Sequence, residues 1–275
     1  MEFFEALELV REKQPLVQCI TNFVTVNDCA NILLASGASP TMTRDICEVE
    51  EAVEGVNALV CNMGAIEYSN SMILAGKRAN RLAIPVVLDP VAAGVTSLRR
   101  KISQELLSAV DFSVIRGNAS EIKALANSGN GGSGVDVSKE DEINSRTVGK
   151  AVDTASSLAN KTGSVIAVSG PIDIVTDGSK TVLIHNGCTA MSRITGSGCM
   201  LTTLIGGFCG AMPGDIFKAT CAAIAVMGIA GELAEEKMLK NSTGNATFRN
   251  DLIDSVFTLT QNQYKEKVRY EIYKG

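Results

Sequence analysis

The amino-acid sequence predicts a three-layer α/β/α sandwich, in which helices cover both faces of a mainly parallel central sheet. Three observations predict this fold. Short apolar runs rich in β-branched residues recur along the chain, helical patterns separate them, and the 275 residues include no Trp and only 4% aromatic residues. Near-continuous apolar runs are typical of strands buried on both faces. Because small aliphatic residues must then fill the interior, the composition favours helices packed on a sheet.

Strand–helix alternation continues across much of the chain. Four apolar runs that end in turn residues are predicted as parallel strands: residues 56–62, 85–90, 112–117 and 164–170. Helical patterns follow them: residues 71–83, 102–110, 120–127 and 145–162. Alternation of this kind implies right-handed crossover connections. Since it resumes beyond every loop, we predict a single domain over residues 1–275.

The pattern changes after residue 170. Residues 172–178 and 181–185 are separated only by a short turn, which predicts an antiparallel hairpin at a sheet edge. The last third of the chain is predicted to be helical: residues 199–211, 214–240 and 250–266. One low-complexity insert, residues 127–134, consists only of Gly, Ser and Asn and predicts a mobile surface loop.

Charge, cysteine content and hydropathy argue against several classes of function. The net charge is −5 and there is no basic tract, so nucleic acid is not an expected partner. The eight cysteines form no Cys-x-x-Cys pair and His185 is the only histidine, which gives a zinc site little support. The longest apolar stretch, residues 219–231, is shorter than the ~20 residues that cross a bilayer, so it predicts a core helix and no membrane partner. Because the N-terminal residues lack a signal-peptide core and the thiols are expected to be free, we predict a soluble cytoplasmic protein.

Residues 193–199 carry the clearest sign of chemistry. Gly196 and Gly198 stand two residues apart, and the small and apolar residues after them predict a buried helix. Backbone N–H groups at the start of such a helix favour an anion such as phosphate, helped by the positive end of the helix dipole. The alternative is an ordinary helix start with a flexible entry, since Gly-x-Gly alone is a common pattern.

Polar residues stand at the ends of three predicted strands. Asp89 ends one, Arg116 with Asn118 and Glu121 ends the next, and Ser169 ends a third. Because ligands bind at the carboxyl ends of parallel strands, we expect these residues to share one site. Asp89 and Glu121 could share Mg²⁺, which prefers oxygen ligands, and Arg116 suits phosphate oxygens. Taken singly, Asp89 could have the structural role of beginning a turn, and Asn118 that of capping a helix. Together with the anion site, the two residues favour phosphoryl transfer.

These residues resemble the motifs of a known family. Asn118-Ala119-Ser120-Glu121 resembles the Asn-x-x-Glu motif of ribokinase-like kinases, and Thr195-Gly196-Ser197-Gly198 resembles their anion-hole turn. Most of that superfamily has Asp at the next position, as the base for the substrate hydroxyl, whereas this chain has Cys199. That departure resembles the hydroxyethylthiazole kinases of thiamine salvage. The resemblance to this branch covers nearly the whole chain and includes further segments: residues 20–31, 37–42, 88–91, 116–121 and 244–249.

The resemblance implies a ribokinase-like fold and an activity. It implies that MgATP phosphorylates the hydroxyl of 4-methyl-5-(2-hydroxyethyl)thiazole in a homotrimer, with the thiazole near subunit interfaces. It also implies roles for the site residues: Met42, Gly196 and Asn22 for substrate; Arg116, Ser169 and Asn118 for ATP; Asp89 and Glu121 for Mg²⁺, directly or through water; Cys199, Gly196 and Gly198 for catalysis.

The chain departs from the family pattern at two further places. Ser169 stands where relatives commonly have Thr, and because Ser keeps the hydroxyl, the departure changes little. Residues 92–94, Ala-Ala-Gly, stand where Gly-x-Gly is expected, so we expect the backbone to approach the ligand less closely there.

Three of the implied roles keep a structural alternative. A thiol at a helix start can have a lowered pKa and accept a proton, yet Cys199 could equally be a small buried residue. We expect the N–H groups and Mg²⁺ to contribute more than the thiol. Asn22, at near-helical spacing from Asn27 and Asn31, could place its amide at the site or cap a helix. Met42 follows Ser-Pro and is predicted to lie on a rigid turn, where its thioether suits a flat heteroaromatic ring; without the family resemblance a core methionine would be the favoured interpretation.

Three other functions stay open. A kinase for the pyrimidine half of thiamine, or for a sugar, would share the fold, although Cys199 and residues 20–31 disfavour it. A cysteine-nucleophile hydrolase would use Cys199 but needs a base, and His185 lies outside any recognisable dyad context. A non-catalytic sensor of thiazole or nucleotide would have less need of the carboxylate pair Asp89 and Glu121.

Overall fold

The computed structural model describes residues 3–127, 143–144 and 146–274. In these ranges one nine-stranded sheet contains β1 Leu16–Ile20, β2 Ser39–Thr41, β3 Ala58–Asn62, β4 Val86–Asp89, β5 Val114–Asn118, β6 Val165–Ser169, β7 Asp173–Thr176, β8 Thr181–Ile184 and β9 Tyr270–Ile272. The strand order is β2-β1-β3-β4-β5-β6-β7-β8-β9. The first six strands pair in parallel and the last three are antiparallel, so the predicted mainly parallel sheet is confirmed.

Helices cover both faces of this sheet. They are α1 Phe4–Lys13, α2 Val26–Ser36, α3 Val49–Val53, α4 Ser69–Arg81, α5 Ser97–Ala109, α6 Ala119–Ala126, α7 Val148–Thr162, α8 Ser197–Ala211, α9 Ile216–Asn241, α10 Asn245–Thr258 and α11 Gln261–Lys267. One hydrophobic core lies between the sheet and helices α1, α2 and α8 to α11, and a second lies under α3 to α7. Alternate strand residues belong to the two cores, as Val60 and Leu59 of β3 do, which explains why the parallel strands are apolar throughout.

The strand register aligns the polar strand ends. In the β3–β4 pair Asn62 lies opposite Asp89, and in the β5–β6 pair Asn118 lies opposite Ser169. All four residues therefore lie at the carboxyl edge of the parallel part of the sheet, as we predicted for three of them.

Three details of the sequence-based prediction are wrong. The β7–β8 hairpin is not at the sheet edge, because β9 pairs with β8. Residues 250–266 form two helices rather than one: the backbone of Leu259 is extended, and Thr260 begins α11 with a reciprocal capping box to Gln263. Met42, which we predicted to lie on a rigid turn, instead directly follows the edge strand β2, where Pro40 is tolerated because edge positions need fewer ladder bonds.

Helix α9 is the one helix in the described ranges that is long and apolar enough to cross a membrane, by length and composition alone. It runs for 26 residues, longer than the predicted apolar stretch. Its most apolar window is 78% buried within the protein, where it packs with α8 and α10. The burial agrees with the predicted core helix. The predicted loop at residues 127–134 lies outside the described residues from 128 onward.

Candidate active site

Asp89 is the buried carboxylate at the centre of the carboxyl edge. It ends β4, is 1% exposed, and its Oδ2 accepts hydrogen bonds from Asn62 Nδ2 and Thr202 Oγ1, both at 2.9 Å. Burial raises the pKa of Asp89 to about 6; the Arg116 guanidinium opposes the shift and the Glu121 carboxylate adds to it. The opposing influences indicate that a cation and a second carboxylate lie close to Asp89.

Glu121 and Asn118 form the start of α6. Asn118 accepts a hydrogen bond from Glu121 N at 2.9 Å, and Glu121 Oε2 accepts one from Asn118 N at 2.8 Å, which makes a capping box. Glu121 Oε1 accepts a third bond from Ala92 N at 2.9 Å. The structure thus gives Asn118 the capping role that we left open, and it fixes Glu121 beside the loop that follows Asp89.

Arg116 lies on β5, and its side chain reaches the start of α8. Its Nη2 donates to Ser169 Oγ at 2.5 Å, and a Cβ added at Gly198 would lie 2.6 Å from its Nη1. Its Nε is buried, and no described residue accepts a hydrogen bond from it. A buried guanidinium N–H that lacks an acceptor favours an anion at this place, since leaving such a donor unpaired costs free energy.

The entry to α8 has the geometry that the two glycines predicted. Gly196 is left-handed at φ +86°, and a Cβ there would lie 2.6 Å from Thr25 Cγ2. Helix α8 begins at Ser197 without a side-chain cap, so its first-turn N–H groups remain for a ligand. These observations favour the anion site over a merely flexible helix entry.

Cys199 lies in the first turn of α8, among amide groups. Asn62 Nδ2 lies 3.2 Å and Asn22 Nδ2 3.5 Å from its Sγ. Burial raises the pKa of the Cys199 thiol, the Asp89 carboxylate raises it further, and hydrogen bonds from Thr25, Asn62 and Asn22 oppose the rise. The lowered pKa that a helix start can give a thiol is therefore not found here, since burial and the neighbouring carboxylate raise the pKa instead.

Asn22 lies beside Cys199, whereas Met42 lies directly after the edge strand β2. Asn22 Oδ1 accepts bonds from Val24 N and Thr25 N at 3.1 and 3.2 Å, so it shapes the turn into α2 while its Nδ2 faces Cys199. Met42 follows β2 and is partly buried against the core. Asn22 thus places its amide beside Cys199 and does not cap α2, whose N-cap residue is Thr25.

Sequence reasoning missed two residues of the site, Asn62 and Thr202. Asn62 ends the predicted strand 56–62, so the rule that selected Asp89 could have found it. Thr202 lies one helical turn after Cys199 and gave no signal in a segment of small and apolar residues. Its role depends on the distance to Asp89, which only the fold supplies.

The departure at residues 92–94 has a visible consequence. Ala92 is left-handed at φ +57°, a conformation that favours glycine. Its N–H nevertheless reaches Glu121 Oε1. The backbone thus adopts the conformation that a Gly-x-Gly turn would give, at a cost in strain.

Comparison with known proteins agrees with this geometry over the whole chain. The model of the hydroxyethylthiazole kinase family matches residues 7–262. The hydroxyethylthiazole kinase of Clostridium acetobutylicum is 45% identical over 271 residues, which cover 98% of this chain and 99% of that protein. A second hydroxyethylthiazole kinase, from Clostridium beijerinckii, is 46% identical over 258 residues, 93% of this chain and 92% of that protein.

Solved structures give the same result. The hydroxyethylthiazole kinase protein from Pyrococcus horikoshii has a TM-score of 0.85 and 35% identity, and the alignment covers 99% of both chains. The pyridoxal kinase of Bacillus subtilis has a TM-score of 0.58 at 16% identity, with 78% of this chain and 90% of that chain covered, and it shares the fold alone. The predicted ribokinase-like sandwich is confirmed, and the chain is a member of the hydroxyethylthiazole kinase family.

Proposed function

We propose that this chain transfers the γ-phosphoryl group of ATP to the hydroxyl of 4-methyl-5-(2-hydroxyethyl)thiazole, in thiamine salvage. The observation that carries the proposal is the convergence of Arg116, the uncapped start of α8 and the carboxylate of Asp89 at one sheet edge, in a member of this kinase family. In the reaction a new bond forms between the acceptor oxygen and phosphorus, the bond to ADP breaks, and the hydroxyl proton leaves.

The phosphates of ATP lie against Arg116, Ser169 and the N–H groups of α8 in this proposal. The buried Nε of Arg116 has no partner within residues 3–127, 143–144 and 146–274, and a phosphate oxygen would supply an acceptor there. Gly198 leaves the space in which the guanidinium meets the helix start. Asn118 supports this site from the start of α6, through its capping role.

The carboxylates of Asp89 and Glu121 fit a magnesium ion held with ATP. No group of three or more His, Cys, Asp or Glu side chains that could hold a metal occurs among the described residues. This agrees with Mg²⁺, which usually keeps several waters and takes one or two carboxylates plus substrate phosphates. When bound, the ion neutralises charge on the phosphoryl group. Asp89 and Glu121 are held in place by the hydrogen bonds described above.

The acceptor alcohol lies toward Asn22, Met42 and Gly196 in this proposal. The thioether of Met42 suits a flat heteroaromatic ring, and Gly196 contacts the substrate hydroxyl. Cys199 then lies close enough to receive the hydroxyl proton, although its raised pKa leaves little thiolate at neutral pH. Gly198, Gly196 and Cys199 together form the catalytic start of α8.

We also propose that the protein is a cytoplasmic homotrimer of one kinase domain over residues 1–275. Phe23 and Val24, which follow Asn22 directly, are 78% and 54% exposed in the single chain. An exposed apolar pair beside the site supports a subunit contact there.

ADP release from MgATP tests the activity. Thiazole-dependent release that disappears when Mg²⁺ is removed supports the proposal, and the hydroxymethylpyrimidine alcohol serves as the control acceptor. Release with the pyrimidine alcohol alone would agree with a kinase of this fold but would overturn the thiazole as its substrate. Absence of release with either alcohol would favour a sensor.

A further inference from the structure

Asn62 is a buried residue of the site to which none of the roles above is assigned. It ends β3 and is 1% exposed. Its Oδ1 accepts hydrogen bonds from Gly64 N at 2.8 Å and Asn22 Nδ2 at 3.2 Å. Its Nδ2 donates to Asp89 Oδ2 at 2.9 Å and to Cys199 Sγ at 3.2 Å. Both ends of the amide are therefore fully engaged.

The hydrogen bonds fix which way this amide points. Gly64 N is a donor only, so the atom 2.8 Å away must be the amide oxygen of Asn62. A Cβ at Gly64 would lie 2.6 Å from that oxygen, so glycine permits the close approach. Since the oxygen faces Gly64, the two N–H groups of the amide must face the carboxylate of Asp89 and the sulfur of Cys199.

We propose that Asn62 is a positioning residue that holds the carboxylate of Asp89 and the sulfur of Cys199 in one hydrogen-bonded unit. This inference rests on the proposed function, in which Asp89 serves the phosphoryl side and Cys199 the acceptor side. The register of β3 and β4 sets Asn62 beside Asp89, and α8 brings Cys199 to the same amide. One amide thus fixes the separation of Asp89, on the ATP side of the proposed site, and Cys199, on the acceptor side.

Thr202 provides the matched comparison. Its Oγ1 donates to the same Oδ2 of Asp89, at the same 2.9 Å, and no hydrogen bond joins it to Cys199 in the described part of the chain. Thr202→Val removes the hydrogen bond to Asp89 and the bond that the same Oγ1 donates to Gly198 O at 3.2 Å, and it keeps the side-chain shape. Asn62→Ala removes the corresponding bond to Asp89, the bond to the sulfur, and the bonds that its Oδ1 accepts from Gly64 N and Asn22 Nδ2.

The experiment is a cycle of variants measured for kcat and for the KM of both substrates. Partners that orient catalytic groups typically contribute 10- to 100-fold to activity. We expect Asn62→Ala to lower kcat by about that factor, with smaller changes in both KM values, and Thr202→Val to lower it only a few-fold. A Cys199→Ala background removes the part of the difference that depends on the sulfur, so Asn62→Ala and Thr202→Val should differ less there than in the native background. Equal effects of the two variants in the native background, or a difference of the same size without the thiol, would overturn the inference.

A second variant protects the test against a folding defect. Asn62→Leu keeps the side-chain volume, adds no charge and cannot donate to Asp89 or Cys199, so it should lose kcat as Asn62→Ala does. Asn186→Ala is the control for removal of a buried asparagine: Asn186 bonds Glu232 and the backbone of Lys267, away from the site. It should lower stability and leave kcat unchanged.

Crystal structures separate this inference from the proposed function. If the native protein shows no thiazole-dependent ADP release, the proposed function fails and the role of Asn62 is judged on geometry alone. In Asn62→Ala the side chains of Asp89 and Cys199 should then leave their native positions, whereas in Thr202→Val the sulfur of Cys199 should keep its place. Unchanged positions in Asn62→Ala would overturn the inference.

Discussion

The Cys199 thiol lies where burial and Asp89 oppose its ionisation. We therefore expect Cys199→Ser to keep measurable turnover, about 10-fold below the native rate. This loss is smaller than the loss that removal of a general base usually causes. The start of α8 and Arg116, which position and stabilise the phosphoryl group, are unchanged in this variant. Single-turnover ADP formation measures the effect. Complete loss with native ATP binding and a native fold would contradict this view and make the thiol essential.

The left-handed backbone of Ala92, in the turn after β4, lowers the stability of the fold. Its φ of +57° is unfavourable for a residue with a Cβ, so Ala92→Gly should raise the free energy of unfolding by about 0.5–1 kcal/mol. Urea unfolding measures the change. Ala93→Gly is the control: Ala93 is buried and is not left-handed, so glycine there should destabilise. A loss of stability in Ala92→Gly would contradict the strain.

Asp173 is a titrating group near Arg116 that sequence reasoning did not select. Asp173 Oδ1 accepts a hydrogen bond from Gly170 N at 2.9 Å, and Gly170 directly follows Ser169 in the chain. Burial raises the pKa of Asp173 to about 7, while that hydrogen bond and the charge of Arg116 oppose the rise. Because the folded state holds the proton more tightly than the unfolded state, this group stabilises the fold below about pH 4. That contribution is lost as the pH rises through about 7. Thermal unfolding between about pH 4 and 7 should therefore depend less on pH in Asp173→Asn than in the native protein. An identical pH dependence in the two proteins would contradict the assignment.

At the scale of elements, the first turn of α8 depends on Gly198. A Cβ there would lie 2.6 Å from Arg116 Nη1, the end of a flexible side chain, so Gly198→Ala should displace the guanidinium with little loss of stability. We expect the KM for ATP to rise about 10-fold, because Arg116 binds phosphate in the proposed function. Gly214→Ala is the control, since a Cβ there meets nothing within 4 Å. An unchanged KM for ATP in Gly198→Ala would refute the contact.

The sequence predicted the elements whose signal is local and missed those that depend on distant partners. The central strands β3 to β6 are apolar on both faces, and their pattern is visible without the fold. Strands β2 and β9 have three residues each and exist because β1 and β8 pair with them. The same distinction holds for the residues of the site. Asp89 and Arg116 could be predicted because they end recognisable strands, whereas the hydrogen bond from Asn62 to Cys199 joins residues 137 positions apart.

For the whole molecule, light scattering tests the proposed trimer. We expect a mass three times that of the 28.9 kDa chain. Phe23→Asp should lower this mass toward that of one chain, because it places a charge in the exposed apolar pair beside Asn22. Phe257→Asp, at another exposed phenylalanine on α10, should leave the mass unchanged. A monomeric native protein would overturn the trimer.

Strand β9 sets the order in which the molecule can be completed during synthesis. Tyr270 of β9 pairs with Ile184 of β8, so the ribosome must add roughly 90 residues before that edge is covered. At ordinary elongation rates the nascent chain leaves the β8 edge open for roughly 4 to 18 seconds. An uncovered strand edge is a template for pairing with another chain, so the nascent chain is exposed to such pairing during this interval.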